Sequence, residues 1–238
     1  MSLMHILYVS KLKIERVNKV MYTLVFDTTA MGLVLALYKD MECKQKIEKF
    51  MEFGQAEELA VGVSELLEKE NILFSDVDLL GVSVGPGSFT GVRAGVSFAR
   101  GLALGHEELK ITGVSNFDVY IEMLKKEYRA FYNAVVIETK REDFYFQLFD
   151  ENLTKLTPPL ALGRDEIREK LKSHKVSFIG DGVERLLSVP MGLDICHVEL
   201  VDFVDYKALF GAVYKKYLAK NLDFPKPLYI RSAETCVK

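Results

Sequence analysis

The first part of the chain alternates short apolar runs with polar turns, an order typical of an α/β unit. Runs at residues 22–26, 32–38 and 45–50 predict three strands joined by turns. A helical pattern follows at 56–67, where apolar residues form one stripe and glutamates lie opposite. A fourth predicted strand at 79–84 then leads through glycines directly into a second helix.

The second part of the chain repeats this order. An apolar strand at 134–137 is followed by a polar turn and a returning strand at 144–149, then by a helix at about 165–172 and a strand at 176–179. A last helix at about 206–219 has apolar residues at helical spacing, most often a sign of core packing. The internal repeat predicts an α/β protein of two similar lobes.

The junction after the fourth predicted strand is the most distinctive stretch, GPGSFTGVR at residues 85–93. A strand that turns through glycines into a helix directs free backbone N–H groups at one point, which favours a phosphate or another anion. The stretch lacks the lysine of a Walker loop, and Thr90 stands where a dinucleotide fingerprint has its third glycine. From the bare pattern, a tight turn in which Ser88 caps the helix is an equally good interpretation.

These residues resemble, nearly letter for letter, the signature of the TsaB (YeaZ) family, a partner subunit in making threonylcarbamoyladenosine on tRNA. The resemblance covers roughly residues 21–231; it is very specific in the central run and looser in the second half. Its further matching stretches are FDTT at 26–29, GLALG at 101–105, TGVS at 112–115 and YIR at 229–231.

The resemblance implies a duplicated actin-like ATPase (ribonuclease-H-like) fold with two lobes. We expect an N-terminal extension at residues 1–20, a first lobe at 21–118 joined by a returning helix at 205–220, a second lobe at 119–204 and a C-terminal tail at 221–238. Because the family pattern starts immediately before the first strand, an extension from an upstream start codon is a better interpretation of the first segment than a targeting signal.

Asp27 ends the first predicted strand and is followed by two threonines. In the implied fold, ATPases hold magnesium and phosphate at this place, whereas composition alone favours a plain turn. The matching acid in the second half is Glu138, and the residues at 139–141 depart from the family's usual Asp-Ala-Arg run. We therefore expect no firm cofactor, and at most weak binding of ATP or ADP and magnesium. The candidate phosphate-facing residues are Asp27, Thr28, Thr29, Gly87, Ser88, Thr90 and Gly91.

The histidines do not predict a metal centre. The catalytic sister family binds its metal through two histidines one helical turn apart, and the four histidines at positions 5, 106, 174 and 197 lack that spacing. Cys196 and His197 are adjacent rather than spaced as a ligand pair. Gln55 stands where many family members have a histidine at the start of the first helix. We assign no catalytic residue and no metal site.

The helix after the glycines is lined with small residues. Close packing on its own sheet is the ordinary interpretation. The resemblance implies instead that this helix and the preceding one pair with the same elements of another subunit. Arg93 and Arg100, seven residues apart on one face, are either solvated charges or interface anchors. The residues assigned to partner contact are Leu59, Val63, Leu66, Val92, Arg93, Ala94, Gly95, Val96 and Arg100.

Composition limits the choice of partners and compartment. With 238 residues the chain can bury a sizeable core, and its net charge of -3 argues against binding nucleic acid by bulk electrostatics. Any contact with tRNA would need a local patch or another subunit. Three cysteines without C-x-x-C spacing suit a reduced compartment, and no apolar run approaches the roughly 20 residues of a membrane span. The sequence predicts a soluble, cytoplasmic protein.

The function implied by the resemblance is that of a non-catalytic scaffold or activator subunit. It would serve threonylcarbamoyladenosine formation at the adenosine 3′ of the anticodon in tRNAs that read codons beginning with A. The implied partners are a metal-containing TsaD-like transferase subunit and a small TsaE-like ATPase subunit, with a homodimer when the chain is alone and tRNA reached indirectly through the complex.

Two other functions remain as hypotheses. In an ATP-dependent phosphotransferase or hydrolase of the same fold, Asp27, Thr28 and residues 87–91 would clamp phosphates with magnesium. A peptidase is the weaker hypothesis, because the sequence shows neither a metal pair nor a Ser-His-Asp arrangement.

Overall fold

Two five-stranded mixed sheets form the framework, one in each half of the chain. The computed structural model describes residues 20–51 and 54–231. The predicted extension at 1–20 lies outside these residues except for its last position, and so does the end of the predicted tail at 221–238.

The first sheet combines an antiparallel meander with two parallel strands. Its elements are β1 (Tyr22–Asp27), β2 (Leu33–Lys39), β3 (Glu42–Lys49), α1 (Gln55–Lys69), β4 (Val77–Ser83), α2 (Phe89–Leu104) and β5 (Lys110–Val114). The strand order is β3-β2-β1-β4-β5, in which β1 pairs antiparallel with β2 and parallel with β4. A short 3₁₀ turn at Phe74–Asp76 precedes β4. The carboxyl ends of β1 and β4 therefore lie side by side, which brings the segments that follow them together.

The second sheet is built in the same way. Its strands are β6 (Tyr132–Glu138), β7 (Phe144–Phe149), β8 (Leu160–Leu162), β9 (Lys175–Gly180) and β10 (Asp194–Leu200). The helices of this part of the chain are α3 (Asn116–Met123), α4 (Arg164–Leu171), α5 (Val183–Leu187) and α6 (Tyr206–Leu218), and a 3₁₀ turn at Lys126–Tyr128 precedes β6. The order β8-β7-β6-β9-β10 matches the first sheet strand for strand. This topology confirms the predicted duplicated, two-lobed α/β fold of the actin-like, ribonuclease-H-like class.

Helices α3 and α6 fill the space between the two sheets. One apolar cluster combines Val25 of β1, Ile137 of β6, Phe117 of α3 and Val213 of α6. The packing of α6 on the first sheet is tight, because a Cβ atom at Gly81 would lie 2.2 Å from Cγ2 of Val213. The last helix thus packs on the first sheet, and its apolar residues Leu209 and Val213 are buried there.

The apolar pattern left some elements unassigned. Strands β5, β8 and β10 and helices α3 and α5 were not among the predicted elements, since they are short or, like β10, largely exposed. In the part of the chain that the structure describes, no helix is both long enough and apolar enough to cross a membrane.

Candidate functional site

The glycine loop, residues 85–91, joins β4 to α2 and lies directly on the turn that follows β1. The backbone N–H of Ser88 donates to the carbonyl oxygen of Thr29 at 2.8 Å, and the hydroxyl of Thr28 donates to the carbonyl oxygen of Gly91 at 2.7 Å. The Ser88 hydroxyl accepts from the N–H of Gly91 at 3.2 Å, which confirms the predicted helix cap. The predicted phosphate-facing residues thus do come together in space.

Glycine is required in this loop because another segment of the same chain is so close. A Cβ atom on Gly91 would lie 1.8 Å from the carbonyl oxygen of Thr28, and one on Gly87 would lie 2.4 Å from the carbonyl oxygen of Thr29. Real Cβ atoms do not approach backbone atoms so closely. Close approach to the chain's own β1 turn therefore accounts for these glycines without a ligand.

Asp27 is almost completely buried beneath this loop, with 1% of its surface exposed. Its carboxylate accepts from the hydroxyl of Thr29 at 2.5 Å and from the N–H groups of Thr29 (3.2 Å) and Ala30 (3.3 Å). Burial raises the pKa of Asp27, while these hydrogen bonds act in the opposite direction. The amide of Asn116 donates to the Thr29 hydroxyl at 2.6 Å and extends the network to α3. The carboxylate is thus engaged inside the protein.

The corresponding acid of the second lobe is Glu138, at the end of β6. Arg185 holds it with two hydrogen bonds, Nε to Oε2 at 2.6 Å and Nη2 to Oε1 at 2.9 Å. Burial pushes the pKa of Glu138 up, but the bonds from Arg185 and from the N–H of Lys140 outweigh it, so the pKa lies below its usual value. Sequence reasoning identified Glu138 and missed Arg185, because no local spacing signals a partner 47 residues away.

Asp181, in the loop after β9, adjoins Glu138 and was not among the predicted site residues. The residue reaches the surface, yet its carboxyl Oδ1 accepts from the N–H of Glu138 at 3.0 Å. Loss of hydration, together with the charge of Glu138, raises the pKa of Asp181 to about 6. The carboxylates of Asp181 and Asp27 also act on the buried phenol of Tyr120, whose pKa burial raises well above its usual range. Tyr120 on α3 is fully buried, in the apolar cluster that joins the two sheets.

The C-terminal segment, residues 223–231, accepts hydrogen bonds from both arginines that were assigned to partner contact. Nε of Arg100 donates to the carbonyl oxygen of Pro225 at 2.8 Å, and Nε of Arg93 donates to the hydroxyl of Tyr229 at 3.2 Å. The Arg93 guanidinium also lies 3.8 Å from the ring centre of Phe89.

The same segment reaches the second lobe through Arg231. Its guanidinium forms an ion pair with the carboxylate of Asp143, in the turn between β6 and β7, and lies 5.6 Å from the ring centre of Tyr145. Burial raises the pKa of Asp143, but hydrogen bonds from Arg231 and Thr139 outweigh burial and lower it overall. The segment thus connects α2 of the first lobe to the β6–β7 turn of the second.

The predicted interface residues need correction, because most of them are core residues of their own lobe. Arg93, Ala94 and Arg100 reach the surface at least in part. The buried ones are Leu59, Val63, Leu66, Val92, Gly95 and Val96. Periodicity correctly indicated an apolar stripe, but the sheet beneath α1 and α2 covers that stripe.

The exposed positions of these two helices carry both charged residues, such as Glu57, Glu65, Glu68, Lys69 and Arg93, and a set of small or apolar ones. We call the small or apolar set the α1–α2 face; its members are Ala56, Ala60, Val61, Ser64, Thr90, Ser97, Gly101 and Leu104. A Cβ atom on Gly101 would meet nothing within 4 Å, so packing inside the chain does not require glycine there. Leu104 is 89% exposed.

Metal-binding side chains do not gather anywhere in the described residues. Within 20–51 and 54–231, no group of three or more His, Cys, Asp or Glu is placed to hold a metal ion. Two of the histidines, His174 and His197, stack on aromatic rings instead. His5 and Cys236 lie outside the described part of the chain.

Comparisons with known proteins agree with this fold. A family model described as TsaD, tRNA N6-adenosine threonylcarbamoyltransferase, matches residues 54–196, which is more than half of the chain. The tRNA threonylcarbamoyladenosine biosynthesis protein TsaB of Buchnera aphidicola subsp. Baizongia pistaciae is 23% identical over 216 residues, covering 88% of this chain and 86% of that one. The protein of the same name from Escherichia coli is 35% identical over 95 residues, 40% of each chain.

A solved structure of YeaZ from Pseudomonas aeruginosa has the same fold, with a TM-score of 0.73 at 18% identity over 88% of this chain and 99% of that one. The architecture and the extent of the family match define the class, a two-lobed α/β protein related to tRNA N6-adenosine threonylcarbamoyltransferases. The chain belongs to the family of that model and, within it, to the TsaB (YeaZ) group.

Proposed function

We propose that this chain is a non-catalytic accessory subunit in the formation of threonylcarbamoyladenosine on tRNA. Its target is the adenosine 3′ of the anticodon in tRNAs that read codons beginning with A. The relatives that carry this biosynthetic name support the reaction, and the contacts of Asp27 and Glu138 support the accessory role.

The observation that carries the accessory role is that groups of the chain itself bind the acid at the end of the first strand in each lobe. Gly87 and Gly91 are pressed onto the β1 turn, and Asp27 is buried beneath them. In the second lobe, Arg185 binds the acid that would otherwise face a nucleotide phosphate or its magnesium. A tight phosphate site needs free N–H groups and accessible carboxylates. In this proposal ATP, ADP or magnesium binds weakly at most.

The α1–α2 face is the proposed docking surface for a TsaD-like transferase subunit. Small side chains let two helices approach closely, and Gly101, in the last turn of α2, costs up to about 1 kcal/mol relative to alanine. Nothing in the lobe offsets that cost. A second copy of this chain uses the same face when the partner is absent, because a two-fold dimer pairs identical surfaces. A TsaE-like ATPase subunit is the further proposed partner.

The proposed mechanism is a shift in population. If the docking face binds the active arrangement of the transferase more tightly than its inactive one, binding raises the active fraction without touching the reacting atoms. The accessory subunit then affects the yield of the modified nucleoside while contributing no group to the chemistry.

Depletion of the protein in cells, followed by mass spectrometry of digested tRNA, tests the proposal. We expect loss of threonylcarbamoyladenosine, and rescue by the wild-type chain and by Lys170→Gln, which places glutamine on an exposed helix of the other lobe. The double variant Ser97→Gln with Gly101→Gln adds bulk to the docking face and should not rescue. Normal levels of the modified nucleoside after complete depletion would defeat the proposal.

A second measurement separates this proposal from the phosphotransferase hypothesis. The purified chain should hydrolyse ATP negligibly. Turnover on the order of 1 per second or faster would favour an enzyme of the same fold.

A further inference from the structure

Five aromatic and histidine rings gather at the end of the second lobe where β6 and β9 begin. They come from the 3₁₀ turn before β6, the start of β6, the turn before β9, and β10. We call this set the ring patch; its members are Tyr128, Phe131, Tyr132, His174 and His197. Neither the fold nor the proposed docking face accounts for it.

The rings are arranged as stacked pairs in which a histidine backs an exposed ring. Tyr128 and His197 are parallel within 9°, with ring centres 3.9 Å apart. Phe131 and His174 lie within 15° of parallel at 5.3 Å, and Tyr132 adjoins His174 at 4.4 Å. Tyr128 is 37% exposed and Phe131 is 56% exposed. Each exposed ring is therefore held in place by a neighbour, so little freedom is lost when another flat group stacks on it.

Basic residues are frequent in the segments that carry these rings, although the chain as a whole is acidic. The segment from residue 125 to residue 132 has Glu127 as its one carboxylate. The basic residues of the surroundings are Lys125, Lys126, Arg129, Lys172 and Lys175. The Lys125 ammonium lies 5.8 Å from the ring centre of Tyr128.

Some of the charge at this end of the lobe is paired. Lys172 pairs with Glu169, His197 contacts Glu199 at 2.9 Å, and Asp194 lies opposite Lys175 in the sheet. The surplus of positive charge lies in the segment that carries Tyr128 and Phe131.

We infer that the ring patch binds single-stranded RNA. Exposed rings offer stacking platforms to unpaired bases, and the neighbouring ammonium groups are placed to contact the phosphates. Because every base has a flat face, such binding has little sequence preference. A protein partner fits less well, since lysine is depleted in the cores of protein interfaces. The inference stands independently of the proposed function; if both hold, the subunit touches tRNA directly.

Binding of the full chain to a fluorescent, unstructured 12-nucleotide RNA, followed by anisotropy at two salt concentrations, tests the inference. Loss of one stacked base is worth about 1–3 kcal/mol, so Phe131→Ala should weaken binding roughly 5- to 150-fold. Phe131→Tyr keeps the ring and should restore binding. Lys125→Gln with Lys126→Gln should weaken binding and make its logarithmic salt dependence shallower, by about 0.7 for each phosphate that a lysine neutralises in the wild type.

Matched controls lie elsewhere on the surface. Phe224→Ala removes a ring that is 52% exposed, and Lys44→Gln removes a cation from the edge strand β3; both should bind RNA like the wild type. Thermal unfolding of each variant shows that it folds. No RNA binding by the wild type, or equal binding by Phe131→Ala and Phe224→Ala, overturns the inference.

Two further outcomes distinguish RNA binding from a protein interface, and failure of the inference from failure of the proposed function. If the ring variants lose a protein partner and keep RNA, the patch is a protein interface and the inference fails. If the patch binds RNA while depletion leaves threonylcarbamoyladenosine unchanged, the proposed function fails and the inference stands.

Discussion

Gly91 and Thr28 are in direct contact, although 63 positions separate them in the chain. The Thr28 hydroxyl donates to the carbonyl oxygen of Gly91 at 2.7 Å, and a Cβ atom on Gly91 would lie 1.8 Å from the carbonyl oxygen of Thr28. The start of α2 is thereby fixed to the end of β1. The motif that resembles a phosphate loop thus joins α2 to the turn after β1.

Gly91→Ala should destabilise the protein strongly. Neither backbone segment can yield without breaking the hydrogen bonds of β1 or α2, and overpacking of this kind costs about 1–3 kcal/mol or more. Gly101→Ala is the matched control in the same helix, where open space and helix propensity should raise the free energy of unfolding by about 0.5–1 kcal/mol. Urea denaturation measures both. Equal effects of the two variants would show that the loop is not packed as described.

Arg231→Ala should raise the pKa of Asp143, because it removes the cation that holds the carboxylate in its charged form. The folded-state pKa of Asp143 lies below its unfolded value, so the ion pair stabilises the protein above the unfolded pKa near 3.8, and this stabilisation disappears as the pH falls through the folded pKa. The stability difference between wild type and variant should be full at neutral pH and vanish in acid. Carboxyl NMR titration measures the pKa of Asp143, and unfolding at several pH values measures the stabilisation. Arg231→Lys keeps a cation at this position, so it should retain part of the lowered pKa and part of the stabilisation.

Asp181→Asn should have the opposite pH dependence. The folded-state pKa of about 6 lies above the ordinary value of 3.8, so the folded protein holds a proton that the unfolded chain has released in that window. Wild-type stability therefore falls as the pH rises from about 4 to about 6. The variant stays neutral and keeps an acceptor for the N–H of Glu138. The free energy of unfolding of the variant, relative to that of the wild type, should rise over this window and then level off. A difference in unfolding free energy that is constant between pH 4 and 8 would contradict the assigned pKa.

The fold could be predicted well from the sequence because the core strands correspond to uninterrupted runs of apolar residues. Strand β1 and its counterpart β6 are buried along nearly their whole length, and the polar turns after both end them clearly. Strand β10 was missed because most of its residues are exposed, so it lacks the apolar signal of the other strands. Its place follows from pairing with β9, which is a tertiary property.

The site was predicted less completely, for a physical reason. Periodicity shows which residues share a face and does not show what covers that face. Leu59 and Val63 form a good stripe, and the stripe meets the chain's own sheet. Glu138 binds Arg185 and Arg93 binds Tyr229, and both partners come from distant segments, so no local spacing in the sequence predicts them. Contacts of this kind become visible only in three dimensions.

Two substitutions in α1 and α2 should separate stability from assembly. Leu59→Ala removes a side chain that is 1% exposed and should cost about 2–5 kcal/mol of unfolding free energy, yet leave the affinity of the folded chain for its partner unchanged. The double variant Ser97→Gln with Gly101→Gln changes exposed positions, so it should leave stability nearly unchanged and abolish close contact between helices. Size-exclusion chromatography with light scattering reports the assembly: the double variant should elute as the 27.0 kDa monomer under conditions where the wild type and Leu59→Ala are larger. If Leu59→Ala fails to assemble at a temperature where it is fully folded, the buried stripe contributes to the interface, and the assignment of the interface to the α1–α2 face is wrong.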